Sequence, residues 1–250
     1  MAEHRFHTPQ PVELEVKVPT GDVEVTTIDG EESFILVEGD ERMVEQTLVE
    51  QRGNRIVVEL RGKKPLGITI EIGGWVFGSE KLRVRAQVPH ASGATIATAS
   101  ADMHLAGRFS TLETKTASGD LVLHGEVERD AEVKTVSGDV RLERVHGQLR
   151  AQSVSGDVNV DEVGGAVATK TVSGDARIGT VRGPEATLQS VSGDIELGVA
   201  SGTNLDVDAN SVSGDLASEI PLGSEVGLSP GPTLVVRGKT VSGDFRLVRG

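Results

Sequence analysis

A chain of 250 residues with a formal net charge of −13 repels phosphate backbones, and five Phe, one Trp and no Tyr leave few aromatic platforms for stacking bases. The same charge disfavours anionic lipid surfaces, and the absence of Cys removes disulfides and thiolate metal sites. Hydrophobic residues make up 37% and are rich in Val, a thin β-branched filling that suits strands better than helices.

From the start of the chain, "MAEHRFHTPQPVELEV" lacks an apolar run of signal-peptide length, and no later segment is long and apolar enough to span a bilayer. A cytoplasmic protein is therefore the expectation. Residues 1–89 read as a β-rich capping region, through "VELEVKV", "RIVVEL", "ITIEI" and "KLRVRAQV". Within it "PTGDVEV" looks like a divergent copy of a motif that dominates the rest of the chain. "DERMVEQTLVEQ" has helical spacing at Val44 and Leu48, enough for one or two turns. "KKPLGITIEIGGWVFGSEKL" suggests a hairpin whose tip carries Trp75 and Phe77, suited to capping an open edge.

Residues 90–250 repeat a phrase. Ser-Gly-Asp begins at Ser118, Ser137, Ser155, Ser173, Ser192, Ser213 and Ser242, at intervals of 19, 18, 18, 19, 21 and 29 residues. A degenerate copy stands at Ser100-Ala101-Asp102. A period near twenty residues points to a solenoid, in which each coil rests on its neighbours. Inside a unit the apolar positions alternate, as in Val133, Thr135, Val140, Leu142 and Val145, while Lys134 and Arg141 fall between them. That is the period of a half-buried strand. A second turn shows as "VHGQ", "VGGA" and "VRGPE". The expected fold is all-β: a flattened parallel β-solenoid of two short strands and about 18–20 residues per coil, behind the β-rich cap.

At the corner, Gly is expected to supply the backbone geometry, positive φ included, while Ser and Asp side chains cap nearby N–H groups. Stacked Asp residues could alternatively form a cation ladder, giving a calcium-stabilised module. Strict alternation points Val136, Val154, Val172, Val191, Val212 and Val241 outward and Thr135, Ser153, Thr171, Ser190, Ser211 and Thr240 inward. A bulge would reverse them. Near the end, "EIPLGSEVGLSPGP" suits a cover for the last coil, and the chain stops half a coil past its final corner, where an open edge could pair with a second copy.

No catalytic, cofactor or metal-ligand set is expected. His4, His7, His90, His104, His124 and His146 fall at unrelated phases of the repeat, and neither a nucleophile elbow nor a phosphate loop is present. The enzymatic alternative, a polysaccharide-acting β-helix, would need a carboxylate groove and usually aromatics, which are scarce.

Tandem "TVSGDV" units behind "VPTGDVEV" and "VEQTLVEQ…RIVVEL" resemble the bacterial adhesin-like β-strand repeat family, provisionally called adhesins and otherwise of unknown function. The resemblance covers most of the chain. It implies a non-enzymatic structural or interaction module that binds a protein partner or itself through a sheet face or open edge. It supplies no functional residues to carry over.

Overall fold

The computed structural model describes residues 1–61, 82–220 and 231–250, as two compact units, Met1–His124 and Gly125–Gly250. The hairpin expected around Trp75 and Phe77, and most of the Pro/Gly-rich excursion after Glu219, lie outside the described residues.

The first unit is organised around one long strand, Glu13–Ile28, which alternates buried Leu14, Val16, Val23 and Val25 with outward polar residues. It pairs in parallel with Ser92–Lys115 along one edge and with Arg55–Leu60 and Leu82–Pro89 along the other. Antiparallel pairs decorate this frame: Ala2–His7 lies on Glu32–Glu38, which in turn lies on Leu82–Pro89. The helical spacing seen in sequence yields one short helix, Glu41–Gln46, capped by the Asp40 carboxylate accepting from the Arg42 N–H at 2.9 Å. It stops before Leu48. That residue instead enters the strand Thr47–Arg52, which forms a hairpin with Arg55–Leu60.

The register bears out the kinship of "PTGDVEV" with the repeat. Thr20, Gly21 and Asp22 stand opposite Ser100, Ala101 and Asp102. The next corner, Ser118-Gly119-Asp120, continues that stack, with the Asp120 N–H donating to Asp102 Oδ1 at 3.0 Å.

The second unit is the expected two-faced parallel solenoid. One face stacks Ala131–Lys134, Leu149–Gln152, Val167–Lys170 and Glu185–Gln189 in register. The other stacks Val140–Val145, Val158–Val163, Ala176–Val181 and Ile195–Val199. Between the faces run columns of like side chains. Val140, Val158, Ala176, Ile195 and Phe245 form one of them, and all five are buried.

Past Val199 the order of the coils departs from the order of the chain. The final strands Thr233–Thr240 and Phe245–Arg249 pair with Glu185–Gln189 and Ile195–Val199 on one side. On their other side they pair with Asn204–Ser211 and Leu216–Ser218. The chain terminus is thus an inner coil, and the expectation of an open edge beyond the last corner is corrected. The outer coil is the earlier Asn204–Ser218. The 21-residue interval from Ser192 to Ser213 carries the chain past one coil position, and the swollen 29-residue interval from Ser213 to Ser242 lets it return to fill that position.

Glycine fixes the spacing of the corners, though not by the route expected. No Gly of a Ser-Gly-Asp triplet has a positive φ. Instead each lies flat against the backbone beneath it. A Cβ on Gly156, Gly174 or Gly193 would overlap the carbonyl oxygen of Gly138, Gly156 or Gly174 respectively. Backbone at both sides of the contact cannot swing away as a side-chain tip would. Gly174→Ala is therefore expected to cost about 2–3 kcal/mol, lowering Tm by roughly 5–10 °C, whereas exposed Ser173→Ala stays within about 0.5 kcal/mol. Thermal melts of the two variants beside the parent check this.

Candidate functional site

The backbone donors of the triplet go to three different kinds of partner. The Ser N–H donates to the carbonyl of the Val one coil below: Ser155 to Val136, Ser173 to Val154 and Ser192 to Val172, all at 2.8 Å. In several coils the Gly N–H donates to the hydroxyl three residues back, as Gly138 does to Thr135 Oγ1 and Gly193 to Ser190 Oγ; in the coil of Ser153 that hydroxyl instead donates to the Gly156 carbonyl, and Thr171 Oγ1 has no partner among the described residues. The Asp N–H donates to Oδ1 of the Asp below: Asp157 to Asp139, Asp175 to Asp157 and Asp194 to Asp175, at 2.8–3.0 Å. The Asp ladder then follows the spatial order: the Asp244 N–H donates to Asp194 Oδ1 and the Asp215 N–H to Asp244 Oδ1. Sequence reasoning gave capping to Ser and Asp. The structure gives it to Asp across coils and to the buried Thr or Ser before Val within a coil. The signal for the latter was the hydroxyl held at that position in every copy.

These bonds decide the direction of the neighbouring side chains. With Thr135, Ser153, Thr171, Ser190 and Thr240 buried, the Val that follows each must face solvent. Strict alternation holds and no bulge intervenes. Val136, Val154, Val172, Val191 and Val241 are 39–47% exposed, and Val212 on the outer coil is 81% exposed. Because each Val carbonyl receives the next coil's Ser N–H, the six form one unbroken ridge in the spatial order 136, 154, 172, 191, 241, 212. At about 4.8 Å per coil the ridge is roughly 24 Å long.

The ridge has two unlike flanks. Two residues before it, on the flat face, the registered column reads Lys134, Gln152, Lys170, Gln189, Lys239 and Asn210. Three residues after it, round the corner, stands the Asp ladder. Lys134 pairs with Glu132, whereas Lys170 and Lys239 have no carboxylate within ion-pair distance among the described residues. Away from the corner, Glu162 lies between Arg182 and Arg144, at 2.7 and 3.6 Å. The hydrogen bond from Arg182 holds its carboxyl below the usual range.

The histidines serve local contacts. His90 Nδ1 lies 2.7 Å from Thr27 Oγ1, His146 Nε2 lies 2.9 Å from Glu126, and His4 stacks on Phe6. Among the described residues no cluster of three or more His, Asp or Glu could hold a metal ion, and no helix is long and apolar enough to cross a membrane.

Residues 12–247 match the family described as Toastrack DUF4097. The chain belongs to that family. Two solved structures share the Toastrack chain's fold. A provisionally named lipid binding protein from Parabacteroides distasonis has a TM-score of 0.62 at 16% identity, covering 99% of this chain and 96% of its own. A provisionally named adhesin from Parabacteroides merdae has a TM-score of 0.52 at 13% identity, with the same coverage. No curated protein matches the sequence. At these identities the likeness establishes the fold and the β-solenoid class of the Toastrack chain.

The Asp ladder gives a test of the cation reading. Since Oδ1 of each Asp is a backbone acceptor, Asp157→Asn keeps the bond to Asp175 and Asp157→Ala removes it. The Asn variant should melt near the parent, and the Ala variant should lose about 1–2 kcal/mol. Melts in EDTA and in millimolar calcium should superimpose; a calcium-dependent rise in Tm that Asp157→Asn abolishes would establish the cation ladder instead.

Proposed function

We propose that this Toastrack chain is a non-enzymatic interaction module of the cytoplasm that docks a protein partner along the valine ridge. The observation that carries this reading is the ridge itself: six aliphatic side chains held outward, in line, by hydrogen bonds that leave them no inward alternative. A continuous apolar line on a chain of net charge −13 is the kind of surface that marks a docking site. Rigidity favours the same reading. The ridge sits on backbone bonded coil to coil, so little conformational freedom is lost when a partner covers it.

Support comes also from how the polar chemistry is used. The Ser, Gly and Asp groups at the corner are engaged in the stack, and the carboxylates that would serve glycan cleavage accept backbone N–H groups. The adhesin name of the Parabacteroides merdae protein agrees with a binding role.

Affinity capture from the native host tests the reading. Val154→Asp and Val172→Asp place a charge on exposed positions, so their Tm should stay within a few degrees of the parent's. The parent is expected to retain a protein that both variants lose. Equal capture by folded variants would remove the ridge from the interface.

A further inference from the structure

The flanks of the ridge specify a partner more narrowly, and this step rests on the docking role just proposed. We propose that the ridge receives a second copy of this chain, with the two coil stacks parallel and related by a two-fold axis running along them.

Across the ridge every coil reads in the same direction: the column holding Lys134, Lys170 and Lys239, then Val, then Asp. The ridge is therefore apolar in the middle, basic on one side and acidic on the other. A two-fold contact brings the same patch of each copy together. With the axis lying across the stack and the ridges fully overlapped, Asp would meet Asp at every level, and each Lys would meet a Gln or Asn in place of a carboxylate. With the axis lying along the stack, the basic flank of each copy meets the acidic flank of the other, and valine meets valine. Like-charge juxtaposition opposes the first arrangement, and complementary potentials favour the second.

The spacing fits as well. In spatial order the basic column alternates Lys134, Gln152, Lys170, Gln189, Lys239, Asn210, so a lysine recurs at every second coil, roughly 9.6 Å apart. The Asp ladder offers a carboxylate at each coil. Each lysine thus faces a partner carboxylate without crowding against the next lysine. At the level of Lys170, Asp175 accepts its backbone bond through Oδ1 and turns Oδ2 toward this purpose, while Asp244 also holds its own Arg246 through Oδ2. A strip roughly 24 Å long and about one corner wide buries less than the ~1,600 Å² of a standard interface, so the association is of the weak, transient kind.

The parallel two-fold makes a positional claim: each valine lies against its own counterpart. Because the chain contains no Cys, single thiols report it cleanly. Val154→Cys and Val241→Cys in the full chain, under mild oxidation, should each form covalent dimers with themselves. A mixture of the two, one carrying a mass tag, should give few mixed dimers. Asp161→Cys, exposed on the other face in Val158–Val163, serves as the collision control. Adding Lys170→Glu and Lys239→Glu to Val154→Cys should cut its cross-linking by roughly tenfold, because acid then opposes acid. Mixed dimers in excess of self-dimers would overturn the parallel arrangement. Cross-linking no greater than the control's would overturn the second copy as occupant. In that last case a host protein still captured through the ridge leaves the docking role standing, whereas loss of both removes the ridge from function.

Discussion

Backbone lying directly on backbone at the corner is the constraint from which the rest of the second unit follows. Where the Gly of one triplet meets the carbonyl oxygen of the Gly below, no Cβ fits between them. The corners can then close to the same ~4.8 Å that the flanking ladders require. Once the corner is held at ladder spacing, its three N–H groups come within reach of fixed acceptors, and each residue of the repeated phrase acquires one task. Thr or Ser turns inward, in several coils to receive the Gly N–H, the Asp carboxylate accepts the Asp N–H of the coil above, and Val is left outside. The exposed ridge is a consequence of satisfying the turn, since a buried corner donor left unpaired costs on the order of 1–3 kcal/mol.

Much of this was legible in the sequence because its signals are local and periodic. Alternation of Val133, Thr135, Val140 and Leu142 fixed strand phase, and the 18- and 19-residue intervals fixed coil length. The same alternation left the direction of Val154 open, because a bulge at the corner would have reversed it. What stayed hidden depends on contacts between coils, which no single unit displays. Positive φ and close approach both call for Gly, and only the position of Gly138 beneath Gly156 separates them. Likewise, an Asp capping its own turn and an Asp capping the next coil's turn are the same letter. The helix at Glu41–Gln46 was visible from the helical spacing around Val44, but its end before Leu48 was not, because pairing of Thr47–Arg52 with Arg55–Leu60 overrides helical spacing there.

The order of the last coils was the larger miss, and its cause is physical. Sequence distance stands for spatial distance only while every coil takes about one period of chain. The 29-residue interval breaks that equivalence, and two coils of similar pattern could then stack in either order. Burial identifies the inner one. Leu234 and Val236 are fully buried and Phe245 nearly so, whereas the outer coil offers Leu205, Val207 and Ala209 half-covered and Leu216 half-exposed. The segment with the stronger aliphatic column, "TLVVRGKT" followed by "FRL", takes the position where burial on both sides rewards it.

This placement also bears on how the unit meets other molecules. The strand left on the outside, Asn204–Ser211, directs Asp206, Asp208 and Asn210 away from the core, and charged residues on a terminal strand discourage further strands from adding to its ladder. The corner ridge carries no such guard. Its apolar line continues onto the outer coil at Val212, bordered by charge rather than interrupted by it. A chain with an acidic terminal strand and an unbroken aliphatic ridge is arranged to associate through side chains along its corner, where patterned charge can select a partner, and to resist association through its backbone edge, where any extended strand would do.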